Sequence, residues 1–266
     1  MESRNPAFRG KNLGQQQPPP YSGYGTPEML NETYQAPAYA PPATRPMTYD
    51  DVVVRGFLSL GMLVLTGALT WLLVPTPTAL VIGGVAFLLQ LGLGLYISFS
   101  GKANAPLVLT FSAVYGVGVG AISHYFNDLY NGVVFQAVIG TALAFGGMLA
   151  VYALRIVRVR PKFVKFVVAA GWALLGLMLV NLLVQAFGPD TGIGIRDASN
   201  PLAYVFSVVA ILVGCFFLLL DFDEIERGVN AGAPEKFAWY SAFGLTLSLV
   251  WIYLELLRFL SYFNRE

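Results

Sequence analysis

The sequence holds one cysteine, Cys215, and one histidine, His124, among its 266 residues. A single cysteine excludes an intramolecular disulfide, and its apolar surroundings fit a small packing residue. One histidine leaves no His cluster for a transition metal. Charge is scarce as well: Asp, Glu, Lys and Arg make up 12% of the chain, against about 25% in soluble domains. The net charge is +1, so no global field points to nucleic acid. No signal peptide is evident, because the first apolar run starts only at Val52. There is also no nucleophile–base constellation and no cofactor loop, and no enzymatic activity is expected. Gly116-Val117-Gly118-Val119-Gly120 lacks both the spacing and the strand-to-helix context of a dinucleotide fingerprint.

What the chain has in abundance is hydrocarbon. Hydrophobic residues make up 56% of it, and the mean hydropathy is +0.63. Seven apolar runs follow one another: about 52–74, 79–99, 106–122, 133–154, 166–187, a sixth from 201 and a seventh ending near 260. Each approaches the ~20 residues a helix needs to cross the bilayer. The expected fold is therefore all-α: a polytopic membrane protein built as a seven-helix bundle, in contact with the lipid bilayer.

Ahead of the bundle, residues 1–47 hold nine of the sixteen prolines, with Gln15-Gln16-Gln17-Pro18-Pro19-Pro20 as a low-complexity core. Such a segment buries too little apolar surface to offset its ordering entropy and reads as a disordered tail. Pro18-Pro19-Pro20-Tyr21 resembles a WW-domain ligand, and Asn31-Glu32-Thr33 matches a glycosylation sequon, a pattern common by chance. Thr48 with Asp51 three residues later predicts a reciprocal N-cap for the first helix.

Lys and Arg set the orientation. With the tail inside, the inner segments hold Arg45, Arg55, Lys102, Arg155, Arg158, Arg160, Lys162, Lys165, Arg227 and Lys236. The outer side holds Arg196, Arg258 and Arg265. Ten against three places the N-terminus in the cytoplasm. The run from Arg155 to Lys165 suits anionic headgroups, at roughly 1 kcal/mol per residue. Within the spans, Gly116 and Gly120 form a small-xxx-small packing face, and Gly140 with Gly146-Gly147 suggests the same for the fourth helix. Gln90 and Asn181 are expected to bond across helices.

Carboxylates beside hydrocarbon are costly and become functional candidates. Asp221, Asp223, Glu224 and Glu226 follow directly on the sixth apolar run. Their other reading is that they mark where a helix leaves the membrane. Glu255 stands three residues before Arg258, a spacing that allows a local ion pair.

Three stretches in this order resemble the Bax inhibitor-1/YccA, or transmembrane Bax-inhibitor-motif, family. They are Thr110-Phe111-Ser112-Ala113-Val114-Tyr115-Gly116, Leu220-Asp221-Phe222-Asp223-Glu224-Ile225 and Glu255-Leu256-Leu257-Arg258-Phe259-Leu260. Asn5-Pro6-Ala7-Phe8 and Met47-Thr48-Tyr49-Asp50-Asp51 are similar to a bacterial branch with a long tail. The resemblance covers about 48–263. It implies a bundle with the last helix near its centre. It also implies a pH-sensitive calcium leak across the cytoplasmic membrane, gated by one acid on each of the last two helices. Asp221 matches the first acid. Aligning the Leu-Leu-Arg-Phe end puts Ser248 at the second, and Gln90 where the family carries an acid near the second helix. Glu255 lies seven residues beyond Ser248, roughly 10 Å farther along the helix, so no direct bond to Asp221 is expected.

The expected site is thus Asp221 and Asp223 as a calcium-binding inner mouth, Ser248 opposite, and Glu255 as an outer acidic site. Lys102 and Arg258 are the candidate charge partners. No cofactor is expected beyond calcium as the permeant ion. The other function class is a non-conducting membrane scaffold that regulates a membrane protease or envelope complex, with the tail as contact for a membrane protein partner.

Overall fold

Thr48 starts the first helix as expected. Its hydroxyl accepts from the Asp51 backbone N–H at 3.3 Å, while its own N–H donates to Asp51 Oδ2 at 2.9 Å. A computed structural model describes residues 45–188 and 192–264. Within them run α1 (Tyr49–Leu73), α2 (Thr76–Ser100), α3 (Ala105–Leu129), α4 (Val133–Ala153), α5 (Pro161–Phe187), α6 (Pro201–Asn230) and α7 (Phe237–Phe263). All seven are long and apolar enough to cross a membrane. Four of them, α2, α3, α5 and α6, carry proline in the first turn, where a missing N–H costs nothing. Asn104 and Asn200 cap α3 and α6.

The helices outlast their apolar runs. The polar stretch His124–Asp128, beyond the third apolar run, forms the last turns of α3. There Thr76 Oγ1 donates to Asp128 Oδ2 at 2.5 Å and lies 3.2 Å from His124 Nε2, joining α2 to α3. Likewise the acids after the sixth run lie inside α6, which continues to Asn230. Hydropathy marks only the lipid-facing length; a helix satisfies its own backbone in water or lipid and need not stop there. Lys162 and Lys165, ahead of the fifth apolar run, already sit in the first turns of α5, and all five cations from Arg155 to Lys165 are exposed.

Residues 1–44 of the expected 1–47 tail lie outside the described residues, but its last three positions, 45–47, belong to the bundle. Met47 N–H donates to Ala233 O at 2.8 Å and Glu235 N–H to Arg45 O at 2.9 Å. Met47 is buried with Val52, Ile225 and Ala238. Arg55 fastens the same corner, bonding both the carboxylate and the carbonyl of Glu235 beneath the Trp239 ring.

The last helix lies near the centre: α7 packs against α1, α3, α4 and α6, whereas among the described helices α5 touches only α6 and α2 leans on α3 and α1. The core is sealed by Phe111 of α3 edge-on to Phe243 of α7, with ring centroids 4.8 Å apart. Cys215 packs with Leu218, Phe222 and Ile252, as its surroundings suggested.

Glycine sets the α1–α3 contact. A Cβ at Gly120 would lie 2.3 Å from Gly67 O, and one at Gly116 2.2 Å from Leu63 O. The expected packing face is therefore real. On α4, Gly140 does meet Leu256 of α7, but Gly146 and Gly147 face open space. Gln90 is buried on α2. Among the described residues, Asn181 accepts from the Ile193 N–H at 3.0 Å and not from another helix, tying α5 to the segment that follows it.

Candidate functional site between α6 and α7

Two polar layers lie on the α6–α7 interface, seven residues apart along α7. The inner layer is Asp221 and Ser248. Ser248 Oγ–H donates to Asp221 Oδ2 at 2.5 Å, and Ser248 is buried. The carboxylate fits here because α7 presents a bare backbone opposite it. A Cβ at Gly244 would stand 3.0 Å from Asp221 Oδ1. Among the described residues no cation pairs with Asp221, and Lys102, one expected partner, is exposed in the turn after α2 and pairs with no carboxylate. An exposed ammonium keeps its water and gains little from an ion pair.

The remaining acids of the cluster turn elsewhere. Successive residues on a helix are about 100° apart, so Asp221 and Asp223 point in different directions. Asp223 pairs with Arg227 one turn on, and Glu226 accepts from the Tyr152 hydroxyl of α4. The expected Asp221–Asp223 calcium pair is thus not assembled. Among the described residues no three His, Cys, Asp or Glu side chains are grouped to hold a metal.

The outer layer centres on Glu255, which is 5% exposed. Arg196, from the segment between α5 and α6, donates to Glu255 Oε1 at 3.2 Å. Arg258, the other expected partner, stands 3.8 Å from the same oxygen. Glu255 Oε2 and Arg258 Nη1 are both buried without a hydrogen-bond partner. As expected, Glu255 does not reach Asp221. Its carboxylate lies between two guanidiniums: the local pair that the Arg258 spacing allowed is joined by Arg196, so the expected outer acidic site is an ion-pair centre.

Between the layers the interface is tight. A Cβ on Gly214 would meet Trp251 and Ile252 at 2.7 and 2.8 Å, and the Trp251 indole N–H donates to Ala210 O at 3.0 Å. Beside it runs a hydroxyl network that sequence reading missed. Ser59 of α1 lies 2.7 Å from Ser112 of α3 and 2.8 Å from Thr246 of α7, and Ser123 lies 2.6 Å from the Tyr253 hydroxyl. Single serines in apolar runs gave no signal that they share one interior.

The sequence matches the family model described as Bax inhibitor 1 like over residues 5–265. No curated protein matches it.

Proposed function

This chain belongs to the Bax inhibitor 1 like family, and on that premise we propose that it passes calcium slowly across the bacterial cytoplasmic membrane in a pH-sensitive way. The observation that carries this reading is Asp221: a carboxylate between two membrane-spanning helices, held by one hydroxyl and, among the described residues, neutralised by no cation. Calcium takes six to eight oxygens. Asp221, Ser248 and nearby carbonyls offer an incomplete shell, which suits brief occupancy in a leak and not storage. Protonation supplies the pH response: it removes the charge that attracts the ion and turns Asp221 from acceptor into donor, so the Ser248 hydroxyl must turn over. Glu224, three residues on, and Tyr240 of α7 are the other titratable groups within electrostatic reach of Asp221. Conduction requires α6 and α7 to part at Gly214 and Trp251. Purified protein in liposomes loaded with a calcium-sensitive dye tests the reading, and absence of flux at every pH overturns it.

The charge asymmetry supports a cytoplasmic N-terminus, and with it a cytoplasmic Asp221 end. The five exposed cations from Arg155 to Lys165 then face inner-leaflet headgroups. In a Cys215→Ser background, Arg160→Cys should react with an impermeant thiol reagent only from the cytoplasmic side, and Ile193→Cys only from outside. Reversed labelling would invert the topology.

A second reading, a non-conducting scaffold for a membrane protein partner, is favoured by one feature. α1 and α4 do not touch, and between them opens an apolar cavity of about 940 Å³ with Phe57, Val64 and Trp71 on one wall and Val138, Phe145 and Leu149 on the other. The flux measurement separates the two.

A further inference from the structure

At the Glu255 end of the bundle an open cavity of about 590 Å³ falls within the roughly 300–1,000 Å³ of small-molecule sites. Hydrocarbon lines it on three helices: Phe87 of α2, Phe126 of α3, and Met178 and Leu182 of α5. Arg196, Asp197 and Arg258 supply its polar side. Among the described helices α5 packs against neither α2 nor α3, so no helix contact shuts the cleft between them. Phe87 and Met178 mark how far it reaches. Phe87 stands eleven residues after the start of α2 and Met178 nine before the end of α5, which is roughly 13–16 Å along a helix. That is about half of a ~30 Å hydrocarbon layer, the depth of one leaflet.

The polar side holds a donor with no acceptor. Arg258 Nη1 is buried and has no hydrogen-bond partner among the described residues. Glu255 Oε1 stands 3.8 Å from it, too far for a hydrogen bond, and Arg196 already donates to that oxygen at 3.2 Å. A buried guanidinium N–H without an acceptor is costly, and an oxygen brought by a ligand would satisfy it. The planar guanidinium suits phosphate oxygens in particular. Charge narrows the ligand further. Arg196 and Arg258 are offset by Glu255 and Asp197, so the site has no net charge to hold a multiply charged anion. It suits a zwitterion whose phosphate meets Arg258 and whose cation turns toward Asp197. The hydrocarbon walls call for chains attached to that head.

We propose that this cavity binds one zwitterionic glycerophospholipid of the adjoining leaflet. Its phosphodiester sits on Arg258, its ammonium lies toward Asp197, and an acyl chain runs down the cleft past Met178 to Phe87. The site is separate from Asp221 and stands whether or not the protein conducts.

The test titrates delipidated full-length protein in detergent with dioleoylphosphatidylethanolamine and counts bound lipid by native mass spectrometry. This lipid has no net charge to draw it to the five exposed cations from Arg155 to Lys165. One molecule per chain should bind. Dioleoylglycerol, which has the chains without the phosphate, and inorganic phosphate, which has the oxygens without the chains, should each bind about tenfold more weakly or worse. Arg258→Gln should weaken lipid binding by about tenfold; Glu255 keeps Arg196 as its partner in that variant, and its melting temperature checks the fold. Met178→Trp leaves every charge in place and fills the inner part of the cleft, and it should weaken binding as well. Equal binding of dioleoylglycerol would make the cavity a bare apolar cleft, and displacement of the lipid by inorganic phosphate would make it a plain anion site. Either result overturns the proposal, as does native-strength lipid binding in Arg258→Gln or in Met178→Trp.

Discussion

Asp221→Asn should lower calcium flux at neutral pH by an order of magnitude or more and leave what remains insensitive to acidification. Asparagine keeps the size of the side chain and an oxygen that accepts from Ser248, so the 2.5 Å contact survives in kind and the bundle keeps its packing. What is lost is the charge. At about 4 Å and an effective dielectric near 20, one unit charge attracts another by roughly 4 kcal/mol. Retaining only a third of that in the passage barrier already corresponds to about tenfold in rate. Two companion variants separate charge from shape. Gly244→Ala keeps the charge but brings a methyl to 3.0 Å from Asp221 Oδ1; it should alter flux while preserving its pH dependence. Ser248→Asp places a second carboxyl against the first, and two carboxylates in hydrogen-bond contact share a proton and titrate as a pair. Its pH response should be steeper than that of the native protein. Wild-type flux and pH response in Asp221→Asn would remove Asp221 from the pathway.

How much of this was legible beforehand depended on whether the signal was local. The seven spans were readable because lipid-facing length imposes about twenty apolar residues in a row. Their ends were not, because nothing in His124–Asp128 or Asp223–Asn230 says whether a polar stretch is a loop or a helix standing in water. Asp221 and Ser248 are 27 residues apart and were brought together only by matching the ends of two motifs. Glu255 with Arg258 was visible as an i,i+3 spacing. Arg196, 59 residues from Glu255, was visible only as a cation in a polar connection, and nothing in the sequence signalled its pairing with Glu255. Glycines divided the same way: Gly116 and Gly120 looked no different from Gly146 and Gly147, yet only the first pair meets another helix. Composition marks a close approach as allowed; which face of a helix the neighbour lies on is decided by the whole bundle.

The largest effect on stability is expected where that close approach is tightest. Gly116→Ala would put a methyl carbon 2.1 Å from Thr66 Oγ1 and 2.2 Å from Leu63 O, and Gly120→Ala would put one 2.3 Å from Gly67 O. A threonine hydroxyl can rotate away; a carbonyl of a packed helix can only retreat with its helix. Relieving either clash moves α1 off α3, and that motion pulls on Ser59, whose hydroxyl bridges Ser112 and Thr246 within the same interface. Overpacking ordinarily costs about 1–3 kcal/mol, and separating a buried hydroxyl from its partners adds about 1 kcal/mol or more. Each variant should therefore lose roughly 3 kcal/mol, seen as a clear drop in melting temperature in detergent. The controls lie on neighbouring positions. Gly118→Ala brings its methyl only to 3.5 Å from Gly83 O, and Gly92→Ala and Gly147→Ala meet nothing within 4 Å. These should melt at or above the native temperature, since alanine is favoured over glycine inside a helix by up to about 1 kcal/mol. If Gly116→Ala and Gly120→Ala melt with the controls, α1 and α3 do not approach at these glycines, and the hydroxyl cluster beside them loses its structural basis.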